Sequence, residues 1–264
     1  MKELILENFS NNIAIFQLEN LMDTTRINTY MKSLPQGTII LFGEYVLEPF
    51  FSEQWKINPP QELKDKNKLD FLMEFCKEYR HTLVIPSVQY KNKGYYKNMV
   101  IFANGKSYTY TQQRMIQYDH WNEVNFFSND TTKLPKTPFI FRAGNLKVGI
   151  LFGFEAHFDE FWMGFKKACV DVVLVATAST FSSQERWKSL LTTHSFTNSC
   201  YVFRANRIGK YKANDGYEWD FYGHSFVSLG QKIIDSLNAD EGMLCVELDT
   251  QSLQNLKDEW KFRE

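Results

Sequence analysis

The place in this sequence where a nucleophile would be looked for first holds none. The segment Lys147–Trp162, KVGILFGFEAHFDEFW, reads as a buried strand, a sharp turn and a helix. Backbone N–H groups and a helix N-terminus converge at such a junction, and many hydrolases set their attacking atom there. The turn here is Gly153, which has no side chain. Glu44 is a carboxylate just past the apolar run Thr38–Phe42, a place where a solvated loop residue is the ordinary reading. His224 and the His120-Trp121 pair are further polar groups, though lone histidines are more often structural than functional. The thiols are Cys76, Cys169, Cys200 and Cys245, and each reads as a small buried apolar residue before it reads as a nucleophile. No pair of His, Asp or Cys has the spacing of a metal site, and no glycine-rich phosphate loop precedes a helix, so no metal and no cofactor is implied.

The elements that must position these groups follow from periodicity. Asn12–Leu18, Thr38–Phe42, Thr82–Ser87, Asn98–Ala103, Ser107–Thr111, Phe139–Arg142, Lys147–Phe152, Val170–Ala176, Tyr201–Ala205, Ser225–Ser228 and Leu244–Leu248 read as strands. Met22–Ser33, Glu62–Tyr79, Gln184–Ser199 and a terminal segment read as helices, and Asn104-Gly105 is a strong hairpin turn. Strands and helices alternate without a repeat or a low-complexity linker. The expectation is an α/β fold with two sheets and helices outside, in a single domain over residues 1–264.

Composition narrows the function classes. At 264 residues and 44% hydrophobic the chain can bury a sizeable core. A net charge of −1 gives no electrostatic case for nucleic acid or an anionic membrane surface. No apolar run approaches the ~18–20 residues needed to span a bilayer. The opening MKELILENFSNN lacks a basic region followed by an apolar stretch, so no leader is expected, and the scattered cysteines point to a reducing cytoplasm.

The order of short motifs resembles the nitrilase, or carbon–nitrogen hydrolase, superfamily. IAIFQLEN is similar to its opening strand, and TIILFGEYVLEPFF to the strand ending in Phe-Pro-Glu, with Gly43 for the proline and Glu44 retained. YYKNMVIFANGKSYTYTQQRM resembles the segment that carries the family's lysine: Asn98, Gly105 and Tyr110 match, Gln112 falls at the lysine, and Arg114 where His or Arg is frequent. KVGILFGFEAHFDEFW resembles the nucleophile elbow, with Gly153 at the cysteine, His157 at an arginine and Asp159 at a proline. THSFTNSCYVFRANRIG and YGHS resemble the later helix–strand and the Gly-His-Ser motif.

The resemblance implies an α-β-β-α four-layer sandwich with two mixed β-sheets. It also implies a Cys–Glu–Lys site in which sulfur attacks an amide or nitrile carbon, glutamate moves protons, and lysine with a backbone N–H stabilises the oxyanion. Of the three side chains only Glu44 is kept, and Glu123 resembles a second glutamate of the family. The expectation is therefore a pseudoenzyme that binds a small amide, amine or carboxylate ligand, or a protein partner. Its pocket would be lined by Glu123, Phe154, Arg114 and His157, with Glu44 unpaired. Glycine at 153 would relieve a strained elbow. Two alternatives stand beside this: a carbon–nitrogen hydrolase working through Glu44 and water, and a structural dimer subunit whose pocket is filled by Phe42, Phe50, Phe51, Phe152 and Phe154. Family resemblance further implies a homodimer through helices 158–168 and 184–199, where Phe158, Phe161, Trp162, Phe165, Trp187 and Phe196 lie.

Overall fold

Strict alternation of side chains along the strands explains the layering. In Asn12–Gln17, Ile13 and Ile15 enter one apolar cluster while Ala14 and Phe16 enter another. Leu146–Phe152 behaves alike: Val148, Ile150 and Phe152 face the first cluster, and Leu151 faces away. The computed structural model describes residues 4–51, 67–132, 136–180, 182–212, 216 and 218–263.

Two mixed sheets face each other across that shared cluster. One has six strands in the spatial order Gly242–Glu247, Asn12–Gln17, Ile39–Phe42, Thr82–Lys91, Gly94–Ala103, Lys106–Thr111. The other has seven, Ile5–Leu6, Ile140–Ala143, Leu146–Phe152, Val172–Thr177, Tyr201–Asn206, Phe226–Leu229, Lys232–Ser236. Helices Thr24–Ser33 and Asn67–Glu78 bury Ile27, Met31, Leu72 and Cys76 against the outer face of the first sheet. Helices Asp159–Lys167 and Gln184–Thr197 bury Phe161, Trp162, Phe165, Trp187 and Leu191 against the second. The result is the expected α-β-β-α sandwich. Asp159 and Glu160 open the shorter of these helices and Lys166 and Lys167 close it, which suits the helix dipole.

The Asn104-Gly105 hairpin forms with positive φ at both residues. Its neighbour is longer than the residue pattern indicates: Thr82–Lys91 and Gly94–Ala103 pair along their whole length and turn at Asn92 and Lys93, both at positive φ. The N-terminal part of the expected helix over 62–79 lies outside the described residues. Phe161, Trp162, Phe165 and Trp187 are used inside the chain's own core. Among the described residues no helix is long and apolar enough to cross a membrane.

Candidate functional site

Three strands deliver the site at their C-terminal ends. Ile39–Phe42 runs through Gly43 into Glu44, Leu146–Phe152 into Gly153, and Val172–Thr177 into Ala178 and Ser179. Glycine is needed at 43 because the chain there passes hard against the other sheet: a Cβ would lie 2.7 Å from the Arg207 nitrogen and 3.1 Å from the Thr177 oxygen. The next peptide locks the crossing, with Glu44 N–H donating to Thr177 O at 3.0 Å.

Above these ends opens a cavity of about 390 Å³. Glu44, Glu123 and Gly153 contribute to its lining, as do Tyr118, His120, Trp121, Phe154, His157 and Trp187, with Ser183 and Arg186. The expected phenylalanine plug does not form. Phe42 packs under the outer helices, Phe152 between the sheets, and Phe50 and Phe51 in an aromatic cluster with Tyr45, Trp121 and Phe126. Only Phe154 of the five reaches the cavity.

The elbow itself corrects one expectation. Gly153 has φ −55° and ψ −47°, ordinary right-handed backbone that any residue adopts, so no strain calls for glycine. Space does the excluding. A Cβ at 153 would sit 2.9 Å from Thr177 Cγ2, 3.1 Å from Glu44 Oε1 and 3.3 Å from Ala176 O. The Glu44 carboxylate leans into this gap and accepts the Gly153 N–H at 3.2 Å.

A second correction concerns Glu44's partner. It is not left without an ammonium, because Lys97 Nζ is ion-paired with both Glu44 and Glu123. Lys97 stands in Gly94–Ala103 and is 2% exposed. Its amine also lies 4.5 Å from the centre of the Tyr45 ring, whose hydroxyl donates to Glu123 Oε1 at 2.6 Å. Glu123 Oε2 accepts the Ile116 N–H at 3.2 Å. Two carboxylates and one ammonium thus share a buried floor. Burial is the largest influence on Glu44 and raises its pKa, Lys97 pulls it down, and the Glu123 charge adds to the rise. Burial alone would depress Lys97, but Glu123 and Glu44 together hold it above the ordinary lysine value. Burial, then the same two carboxylates, pushes the Tyr45 hydroxyl well up, so it stays a donor.

Gln112 and Lys97 occupy facing places on the ladder. The register pairs Asn98 with Thr111, and one step on, Gln112 N–H donates to Lys97 O at 3.2 Å. Asn129 clamps this step, accepting from Lys97 N at 2.9 Å and donating to both Lys97 O and Gln112 O at 2.9 Å. The Gln112 side chain is buried, donates to Arg114 O at 2.7 Å and leaves its Oε1 without a partner.

Glu123, Phe154 and His157 are among the residues lining this cavity, and Arg114 is not. The Arg114 guanidinium turns outward to Glu160 at 3.4 Å and over the Phe158 ring, because the chain leaves the ladder after Thr111. His157 Nδ1 lies 3.1 Å from Phe154 O, so that nitrogen carries the proton, and burial lowers the ring's pKa. Glu155 is buried below the elbow, where it accepts from Tyr110, Gln113 N and Phe152 N; burial raises it to about 7. None of the four cysteines is among the lining residues. Burial raises the Cys76 thiol, and raises Cys200 to about 12, which leaves neither a ready nucleophile.

Residues 22–258 match the model of the carbon–nitrogen hydrolase family, and the chain belongs to that family. No curated protein matches it. Among solved structures it is similar to a carbon–nitrogen hydrolase from Helicobacter pylori G27, at TM-score 0.81 and 17% identity over 95% of this chain and 93% of that one. It is also similar to a superfamily protein from Xanthomonas campestris, at 0.76 and 12% over 100% and 97%. A Saccharomyces cerevisiae member of branch 10 of the nitrilase superfamily follows at 0.72 and 16% over 94% and 93%. At these identities the likeness speaks for the fold.

Proposed function

We propose that this chain is a carbon–nitrogen hydrolase homologue without thiol chemistry, which binds a small amide- or amine-bearing molecule in the cavity above Glu44. The observation that carries the reading is Gly153 at the floor of an open cavity of about 390 Å³ that no cysteine lines. Without sulfur at that place no thioester can form there. The floor still offers carboxylate acceptors, and the aromatic walls offer apolar contact, which together suit a compact ligand with a donor head.

The test measures ammonia release from nitriles, ω-amides and N-carbamyl amines, with thermal-shift binding of the same panel. Wild-type protein that binds but does not turn over supports the reading. Turnover that disappears in Glu44→Ala sinks it and favours water activated by Glu44. If nothing binds, the cavity serves no small molecule, and a dimer subunit becomes the better account. The proposal includes a homodimer through helices 158–168 and 184–199, where Met163 stays exposed, and a cytoplasmic location in keeping with four unbridged cysteines. Sedimentation showing only monomer at micromolar concentration would remove the dimer.

A further inference from the structure

We infer that Lys97 supplies the site's working ammonium from the opposite side of the ladder rung it shares with Gln112, so that the charge machinery around Glu44 is complete and only the attacking atom is missing. Three observations meet here. Side chains directly opposite on an antiparallel pair start ~4.5–5.5 Å apart, within the reach of a lysine stem. The Lys97–Gln112 step is fixed by the backbone bond between them and by the three hydrogen bonds of Asn129. The amine delivered from this rung contacts Glu44 and Glu123 together, and Glu44 in turn touches the Gly153 N–H. A buried ammonium between two carboxylates is costly unless each partner is satisfied. Here every oxygen of the pair has a donor: Glu44 from Gly153 N and Lys97, Glu123 from Tyr45, Lys97 and Ile116 N.

The consequence is a latent hydrolase. With a thiol introduced at 153, its proton would pass to Glu44 as sulfur bonds to an amide carbon. Glu44 would return that proton to the departing nitrogen as the C–N bond breaks. Water would then cleave the thioester, losing its proton through Glu44 and restoring the thiol. Lys97 acts through Glu44 and through its field on the sulfur, as a positioning and charge-setting residue.

The inference rests on reading Gly153 as the nucleophile's place, and the experiment separates the two. The starting protein is Gly153→Cys/Thr177→Ser, the second change clearing the Thr177 methyl. Onto it are added Lys97→Gln, and Lys97→Gln with Gln112→Lys, which returns the amine across the rung. The primary readout is the pH profile of iodoacetamide alkylation at position 153, followed by peptide mapping. It needs no turnover. Ammonia release from propionamide is the second readout.

Removing Lys97 leaves the Glu44 carboxylate beside the thiol, and Glu123 behind it, without their ammonium, so alkylation at pH 7 should fall at least about tenfold and its midpoint should rise. Returning the lysine from 112 should restore both. An unchanged profile in Lys97→Gln overturns the inference, as does a folded return variant that alkylates no faster than Lys97→Gln. If Lys97→Gln fails to fold, the return variant decides: the profile of the starting protein supports the inference, and an ordinary thiol profile overturns it. Wild-type turnover would instead strike the reading of Gly153 and leave the alkylation result standing.

Discussion

Gly153→Cys made alone is the sharpest test of what keeps sulfur out of this site. The Cβ would meet Thr177 Cγ2 at 2.9 Å, inside any normal carbon–carbon contact. Thr177 cannot swing away cheaply, because its hydroxyl lies 3.0 Å from Ala205 O and 2.8 Å from Asn206 Oδ1. Overpacking of this kind costs about 1–3 kcal/mol. Against it stands a gain of about 0.4–1 kcal/mol from stiffening the unfolded chain, since Gly153 already has a helical backbone. The net expectation is a loss of about 0–2.6 kcal/mol in urea unfolding. Thr177→Ser keeps the hydroxyl and removes the methyl, at about 0.8 kcal/mol by itself for the lost burial. Combined with it, the cost of Gly153→Cys should fall by about 1–2 kcal/mol in the double-mutant cycle, leaving only the close approach to Glu44 Oε1 and Ala176 O. Equal costs of Gly153→Cys in the two backgrounds would refute the methyl as the obstacle. A stabilised single variant would refute the steric argument altogether.

Lys97→Gln in the natural chain removes the only ammonium paired with Glu44 and Glu123 among the described residues, and should cost about 3–5 kcal/mol in urea unfolding, most of it recovered by adding Gln112→Lys. Failure of the second change to recover stability would mean that the rung does not present the amine from both sides. Glu48 is buried against Ser87 Oγ at 2.9 Å, and burial raises its pKa to about 8. In that window the unfolded chain holds fewer protons than the folded one, so stability falls as pH rises from about 4.5 to about 8, by roughly 1.4 kcal/mol per pH unit for this group. Glu48→Gln should remove that slope, and urea midpoints taken at pH 5, 6.5 and 8 will show whether it does. Glu155, raised to about 7, adds the same sign over a narrower range, while the His194 ring, lowered by burial to about 4, opposes both up to the ordinary histidine value, so the pH slope is to be read as the difference between wild type and Glu48→Gln.

The layered fold was legible because each strand's alternation sorts its residues between two clusters, and because the Asn104-Gly105 turn leaves one pairing open to its flanks. Glu44, Glu123, Phe154 and His157 could be placed near one another through the order of the motifs. Lys97 could not, for a local reason. Starting the strand at Asn98 leaves the lysine in a turn, whereas the strand begins at Gly94. The missed signal was the alternation itself: Tyr95, Lys97, Met99 and Ile101 lie on one face of the strand, so a lysine stood in an otherwise apolar buried row, where a charge needs a partner. The burial of Gln112 and the outward turn of Arg114 depend on where the chain leaves the ladder, which periodicity marks only to within a few residues. The tightness at Gly153 was out of reach for another reason. It is set by Thr177, a neighbour across the sheet and far away along the chain.

The rung held by Asn129 also bears on how such a site can be inherited. A long side chain has a root and a tip, and selection on chemistry sees the tip. Two facing roots a few ångströms apart can serve one tip, so a lysine can cross from one strand to the other while its charge stays in place. Comparing relatives column by column follows roots, and records such a crossing as a loss beside an unrelated gain. Any tally of catalytic residues lost in this fold should be taken by rung pairs before a chain is counted as stripped of its charge.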